Sequence, residues 1–190
     1  MASTDHDHPK AAPDRLDHIR LFVNTFDVET GEEELSDPRA LAAWFSEQGL
    51  LTDDEPLTEA DVRQAQSMRE ALRKLLLAHN GAPLDPTAVD AVNGAAKSAE
   101  LVVRFDDHGR AALVPVRSGI DEALGRLIAI VYAAMADGTW ERLKACREET
   151  CEYAFYDWSK NRSGAWCDMA VCGNRNKARA HRERRQRGAA

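Results

Sequence analysis

Cysteine is absent from the first 145 residues of this 190-residue chain, and all four cysteines crowd into the last quarter as Cys146, Cys151, Cys167 and Cys172. No run of 18 or more apolar residues occurs, so no segment has the make-up of a membrane-spanning helix. The opening, Met1-Ala2-Ser3-Thr4-Asp5-His6-Asp7-His8-Pro9-Lys10, lacks the charged-then-apolar order of a secretory signal. A soluble cytoplasmic protein with no membrane partner is expected. Between residues 14 and 139 there is no Gly-rich phosphate loop, no His-Glu-x-x-His and no Gly-x-Ser-x-Gly. His18, His79 and His108 stand apart from one another in sequence and read as surface or boundary histidines. The chain is therefore not expected to be an enzyme.

What is present is a charge asymmetry. Residues 158–190 hold nine Lys or Arg against two acids, Asp168 and Glu183, a local charge of +7; with −7 for the whole chain, residues 1–157 carry −14. An acidic body with a basic tail is a pattern of nucleic-acid contact.

Residues 1–13 have two prolines and no apolar periodicity, and are expected to be disordered. From Asp14 the spacing of Leu16, Ile19, Phe22, Val23 and Phe26 predicts a helix. Glu32-Glu33-Glu34 reads as a solvated loop, after which Asp37-Pro38 opens a second helix carrying Leu41, Trp44 and Phe45. Thr58 with Asp61 resembles a capping box, with Leu57 and Val62 as a staple, at the head of the longest helix, which runs to Asn80-Gly81. Asp85-Pro86 begins a shorter one. Residues 101–116, with a turn at Asp106-Asp107-His108-Gly109, predict a β-hairpin, and Leu124 to Met135 a last body helix stopping at Asp137-Gly138. The stripe of Phe22, Phe26, Trp44 and Phe45 has the spacing of core packing. The expected fold is mainly α, a helical domain over 14–139 with one hairpin, followed by a small cysteine module over 140–190.

The cysteines form two Cys-x4-Cys pairs separated by fifteen residues. Two close pairs can converge on one tetrahedral Zn2+, and four thiolates leave no open position, so the site would be structural. Reduced structural thiols or a disulfide hairpin are the competing readings. Metal binding would replace the core that some fifty residues poor in aliphatics cannot build. The segment after Cys172 has almost no apolar residue, and a helix polar on every face has no core to join. Arg175, Arg179 and Arg182 would share one face of it, and Lys177, His181 and Arg184 another. Either face could straddle phosphates; a solvated charged tail is the bland alternative. Between the pairs, Phe155, Trp158 and Trp166 are expected to form a mini-core, while Lys160, Asn161, Arg162 and Ser163 suit a loop approaching a phosphate backbone.

These residues resemble the CGNR zinc-finger family: its signature stands here as Cys172-Gly173-Asn174-Arg175. The resemblance extends over Cys146-Arg147, Cys151, Phe155-x-Asp157-x-Ser159-Lys160-Asn161-Arg162-Ser163, Trp166-Cys167-x-Met169 and Lys177-Ala178-Arg179. The body resembles that family's ABATE domain at Phe22-Val23-Asn24-Thr25, Leu35, Pro38, Leu41, Trp44 and Gly49-Leu50. The resemblance implies a treble-clef-like finger ending in a basic helix, zinc held by the four cysteines, and a stress-related transcription regulator that binds duplex DNA. It adds Asn174 to the expected nucleic-acid contacts Lys160, Asn161, Arg162, Ser163, Arg175, Lys177, Arg179 and Arg182, with Arg175 and Arg179 as groove contacts. The helical domain would sense an effector, which the sequence does not name, or form a homodimer, and the protein would be nucleoid-associated. The chain departs from the family at Gly164-Ala165, where arginine is common, and at Asp168, where a small hydroxyl is usual; both changes are expected to weaken phosphate contact. A protein-interaction module or an RNA-binding module are the alternatives.

Overall fold

The computed structural model describes residues 10–52 and 56–187. A 3-10 turn, Asp14–Leu16, leads into α1 (Asp17–Val23), followed by α2 (Pro38–Glu47), α3 (Glu59–Ala78) and α4 (Pro86–Ser98). The antiparallel pair β1 (Val102–Phe105) and β2 (Ala111–Val114) precedes α5 (Gly119–Asp137). A second 3-10 turn then opens the hairpin β3 (Leu143–Ala145) and β4 (Ala154–Tyr156), and a π-helical turn, Met169–Gly173, runs into α6 (Asn174–Arg187). Among the described residues no helix is long and apolar enough to cross a membrane.

The helix starts follow local chemistry. The Asp37 carboxylate accepts from the Arg39 and Ala40 amides ahead of α2. Thr58 and Asp61 form the reciprocal box at α3, worth about 1 kcal/mol for the cap alone. Gly138, in the left-handed region, ends α5. Ile19 and Phe22 from α1, Leu41 and Phe45 from α2, Leu72 and Leu76 from α3, and Leu124 and Leu127 from α5 are fully buried and make the centre of the core. Each such side chain contributes roughly 1.5–3 kcal/mol by burial.

The first helix is shorter than its apolar spacing predicts, because side chains take its last carbonyls. Thr25 Oγ1 donates to Phe22 O, and the buried Arg73 donates through Nη2 to both Val23 O and Phe26 O. Phe26 leaves the helix to form a bridge with Glu33. Glu33 is also where the acidic run departs from a solvated loop: its two oxygens accept from Arg69 Nη1 and Nη2 at 2.6 and 2.8 Å. Arg69 is itself buried and covers the Phe26 ring.

The packing crosses the boundary predicted near residue 139. Trp140, Leu143, Ala145, Ala154 and Tyr156 belong to the same apolar cluster as the helical core. Asn24 exchanges hydrogen bonds with Ala154, Asn80 Nδ2 donates to Ala145 O and Ala165 O, and Arg73 Nη1 donates to Glu152 O. His79 is half-buried, a boundary histidine: its Nδ1 lies 2.8 Å from Leu143 O and its ring meets Trp140 edge-on. Burial pushes its pKa down, so the neutral ring donates from Nδ1 to that carbonyl.

Residues 10–13, assigned by sequence to a disordered terminus, instead lie along β4 and the last loops. Lys10 O accepts from Tyr156 N, Ala11 O accepts from Trp158 Nε1, and Lys10 Nζ donates to Trp166 O while covering the Phe155 ring. Such backbone docking leaves no periodic pattern in a sequence. Residues 1–9, the rest of that expectation, lie outside the described residues.

Candidate metal centre and nucleic-acid interface

Backbone hydrogen bonds place three of the four cysteines. Cys146 leaves β3 with its amide donating to Tyr153 O, and the Cys151 amide donates to Glu148 O, which closes the knuckle between the strands. On the far side, Asp168 Oδ1 accepts from the Ala170 and Val171 amides, and the Cys172 amide donates to Asp168 O. Asp168 is thus the cap of the turn that holds Cys172. A Cβ at Gly173 would meet the sulfur of the flexible, exposed Met169 side chain and touch the Trp166 ring.

All four Sγ atoms lie within 4.8 Å of one another, with Cys151 to Cys167 at 3.5 Å and Cys167 to Cys172 at 3.7 Å. None is in a disulfide. A tetrahedron of sulfurs about 2.3 Å from zinc has edges of about 3.8 Å, so the residues fit one structural zinc ion. The acid–base balance agrees. Hydrogen bonds from the Cys151 and Cys167 thiols hold Cys146 far below the ordinary thiol range. Cys151 and Cys167 are pushed up, first by hydrogen bonding to Cys146, and Cys172 is pushed up by burial. Four thiolates packed this closely repel one another, and a cation among them lets all four remain ionised. The first pair on a β-hairpin knuckle and the second at a helix start make a treble-clef-like arrangement.

Phe155, Tyr153 and Trp166 pack on the cysteines. Trp158, expected with them, stands outside at 59 % exposure, its ring edge-on to Tyr156. The loop after β4 is knitted by a pair the sequence did not reveal. The buried Lys144 Nζ donates to Asp157 Oδ2 at 2.8 Å, to Arg162 O at 2.6 Å and to Gly164 O at 3.1 Å, while Asp157 accepts from the Ser159 and Gly164 amides. A strand lysine carries no sign of such burial; the acid in Asp157-x-Ser159 is a cue only to the turn. Here the departure at Gly164 finds a physical reason, because a Cβ would sit 2.7 Å from Asp157 Oδ1. Gly164→Ala is expected to destabilise by about 1–3 kcal/mol, as overpacking does; an unchanged urea midpoint would show the loop can give way.

The expected contact residues divide by environment. Lys160, Asn161, Arg162, Ser163, Asn174, Arg175, Lys177 and Arg182 are exposed, and Arg179 is half-buried. Arg162 pairs with Glu141, Arg175 with Glu29, and Arg179 with the buried Glu148. Glu29 and Glu148 are the partners that sequence reasoning missed, since neither lies at helical spacing from the arginine it meets. Among the described residues, Lys160, Lys177 and Arg182 have no ion-pair partner.

No curated protein matches the chain. Two family models do: ABATE, described as a putative stress-induced transcription regulator, over residues 21–139, and the CGNR zinc finger over residues 142–185. With the larger match covering well over half the sequence and the metal-ready cysteines lying inside the smaller, the chain belongs to the ABATE family and carries a CGNR zinc finger at its carboxyl end.

Proposed function

We propose that the protein is a zinc-dependent transcription regulator that binds duplex DNA through the finger and α6. The observation that carries this reading is the cationic surface around a metal-anchored helix: Lys160 and Lys177 are exposed without acidic partners among the described residues. Arg162 sits in a solvent-exposed pair of the kind that exchanges readily for phosphate. Asn161, Ser163 and Asn174 supply neutral donors beside them. Charge in residues 158–190 then provides affinity, and the acidic body suppresses binding elsewhere. The helical domain serves sensing or dimerisation, and the protein works in the cytoplasm on the nucleoid.

The test is duplex binding by the zinc-loaded chain across a salt series. Affinity is expected to fall with a log–log slope of about −0.9 per phosphate neutralised, and to vanish on chelation. A zinc-replete chain that binds no duplex at low salt would refute the reading. A protein partner is the second reading, favoured by Met169 and Val171, which are 57 % and 45 % exposed at the head of α6. Association that survives nuclease would support it, whereas a preference for single strands would indicate RNA.

A further inference from the structure

The two basic faces of α6 look equivalent in sequence, but the fold treats them differently. Arg179 Nη2 lies 2.6 Å from both oxygens of Glu148, whose side chain is only 4 % exposed, with Glu149 beyond at 3.9 Å. Glu148 sits in the zinc knuckle itself and accepts from the Cys151 amide through its carbonyl. One turn earlier, Arg175 meets both oxygens of Glu29, from the segment between α1 and α2, at 2.8 and 3.0 Å. Arg175 and Arg179 thus fasten α6 to the acidic body, and a phosphate approaching that side would face Glu29, Glu148 and Glu149.

Two residues on from Arg175 the helix has turned about 200°, which places Lys177 roughly opposite, with His181 and Arg184 following at four- and seven-residue spacing over about 10 Å. All three are exposed, and none has an ion-pair partner among the described residues. We infer that the Lys177, His181 and Arg184 side of α6 is the face that meets the phosphates of duplex DNA, and that Arg179 is a positioning residue which orients this face by clamping the helix to Glu148. The inference rests on the DNA-binding reading above and assigns its geometry.

The experiment is fluorescence anisotropy with a labelled duplex and the full, zinc-loaded chain between 50 and 200 mM salt, with zinc content and far-UV circular dichroism measured for every variant. Lys177→Gln/Arg184→Gln is expected to weaken binding at least tenfold at the lower salt and to reduce the salt slope by about two contacts. Glu148→Leu/Arg179→Met removes the clamp without stranding a buried charge, and is expected to keep the wild-type slope. Glu29→Gln, which alters an exposed carboxylate outside the zinc knuckle, gives a second measurement in case the clamp variant loses zinc: affinity should stay within about twofold if DNA avoids the body-facing side. A clamp variant that loses a phosphate contact, or a Glu29→Gln chain that binds more than tenfold tighter, would overturn the assignment of faces while leaving the DNA reading intact. A wild-type chain that binds no duplex at all would overturn both.

Discussion

Replacing Cys172 with serine is expected to release the zinc and, with it, α6. The helix brings almost no apolar surface of its own and is tied to the protein by Cys172 at its head, by Asp168 capping the turn before it, and by the Arg175 and Arg179 pairs. Loss of one thiolate from a four-sulfur site removes most of a binding energy that is about 10–16 kcal/mol in isolated finger peptides. The knuckle would then lose its fixed geometry, and Glu148 its place opposite Arg179. Unfolding should stop at β3 and β4, because these strands are built into the helical core through Leu143, Ala145, Ala154 and Tyr156 and are held by Asn24 and Asn80. The variant should therefore contain no stoichiometric zinc, lose helicity corresponding to the 14 residues of α6, and keep slow amide exchange in α3, α5, β3 and β4. Global unfolding would show that the body depends on the metal as well.

Replacing Asp157 with alanine should cost about 3–5 kcal/mol of stability, because it leaves the Lys144 ammonium buried opposite nothing charged and removes the acceptor of two amides. Asp157→Asn, which retains an acceptor, should cost less. Burial would raise the Asp157 carboxyl, but hydrogen bonds from Lys144, Ser159 and Gly164 outweigh it and hold the group at about 2. A folded pKa below the unfolded value of about 3.9 means the stabilisation is complete above that value and is lost as pH falls from about 4 towards 2. Urea midpoints measured at pH 7 and pH 3 should fall for the wild type and change less for Asp157→Asn. An equal acid loss in both would place the sensitivity in other carboxylates.

The buried pair also marks the limit of what pattern reading supplies. Helix starts at Asp37-Pro38, Thr58 and Asp85-Pro86 were legible because a cap acts over three or four residues on groups that are adjacent in the chain. The hairpin at 102–114 was legible for the same reason, as its turn carboxylate, Asp106, bonds the amides of His108 and Arg110. Lys144 with Asp157, Arg69 with Glu33 and Arg73 with three backbone carbonyls follow no such local rule. Each joins segments separated by 13 to 79 positions, and the sequence shows only a charge where the fold buries one.

The sequence by itself determined the zinc site, because thiolate chemistry and the spacing of two short loops leave few ways to place four sulfurs around one ion. It also determined that α6 would be cationic on more than one side and would need an anchor. Only the tertiary structure decided which of those sides is occupied. Glu29 and Glu148 reach Arg175 and Arg179 from positions 146 and 31 residues away, and a carboxylate can neutralise a guanidinium only where the chain brings the two together.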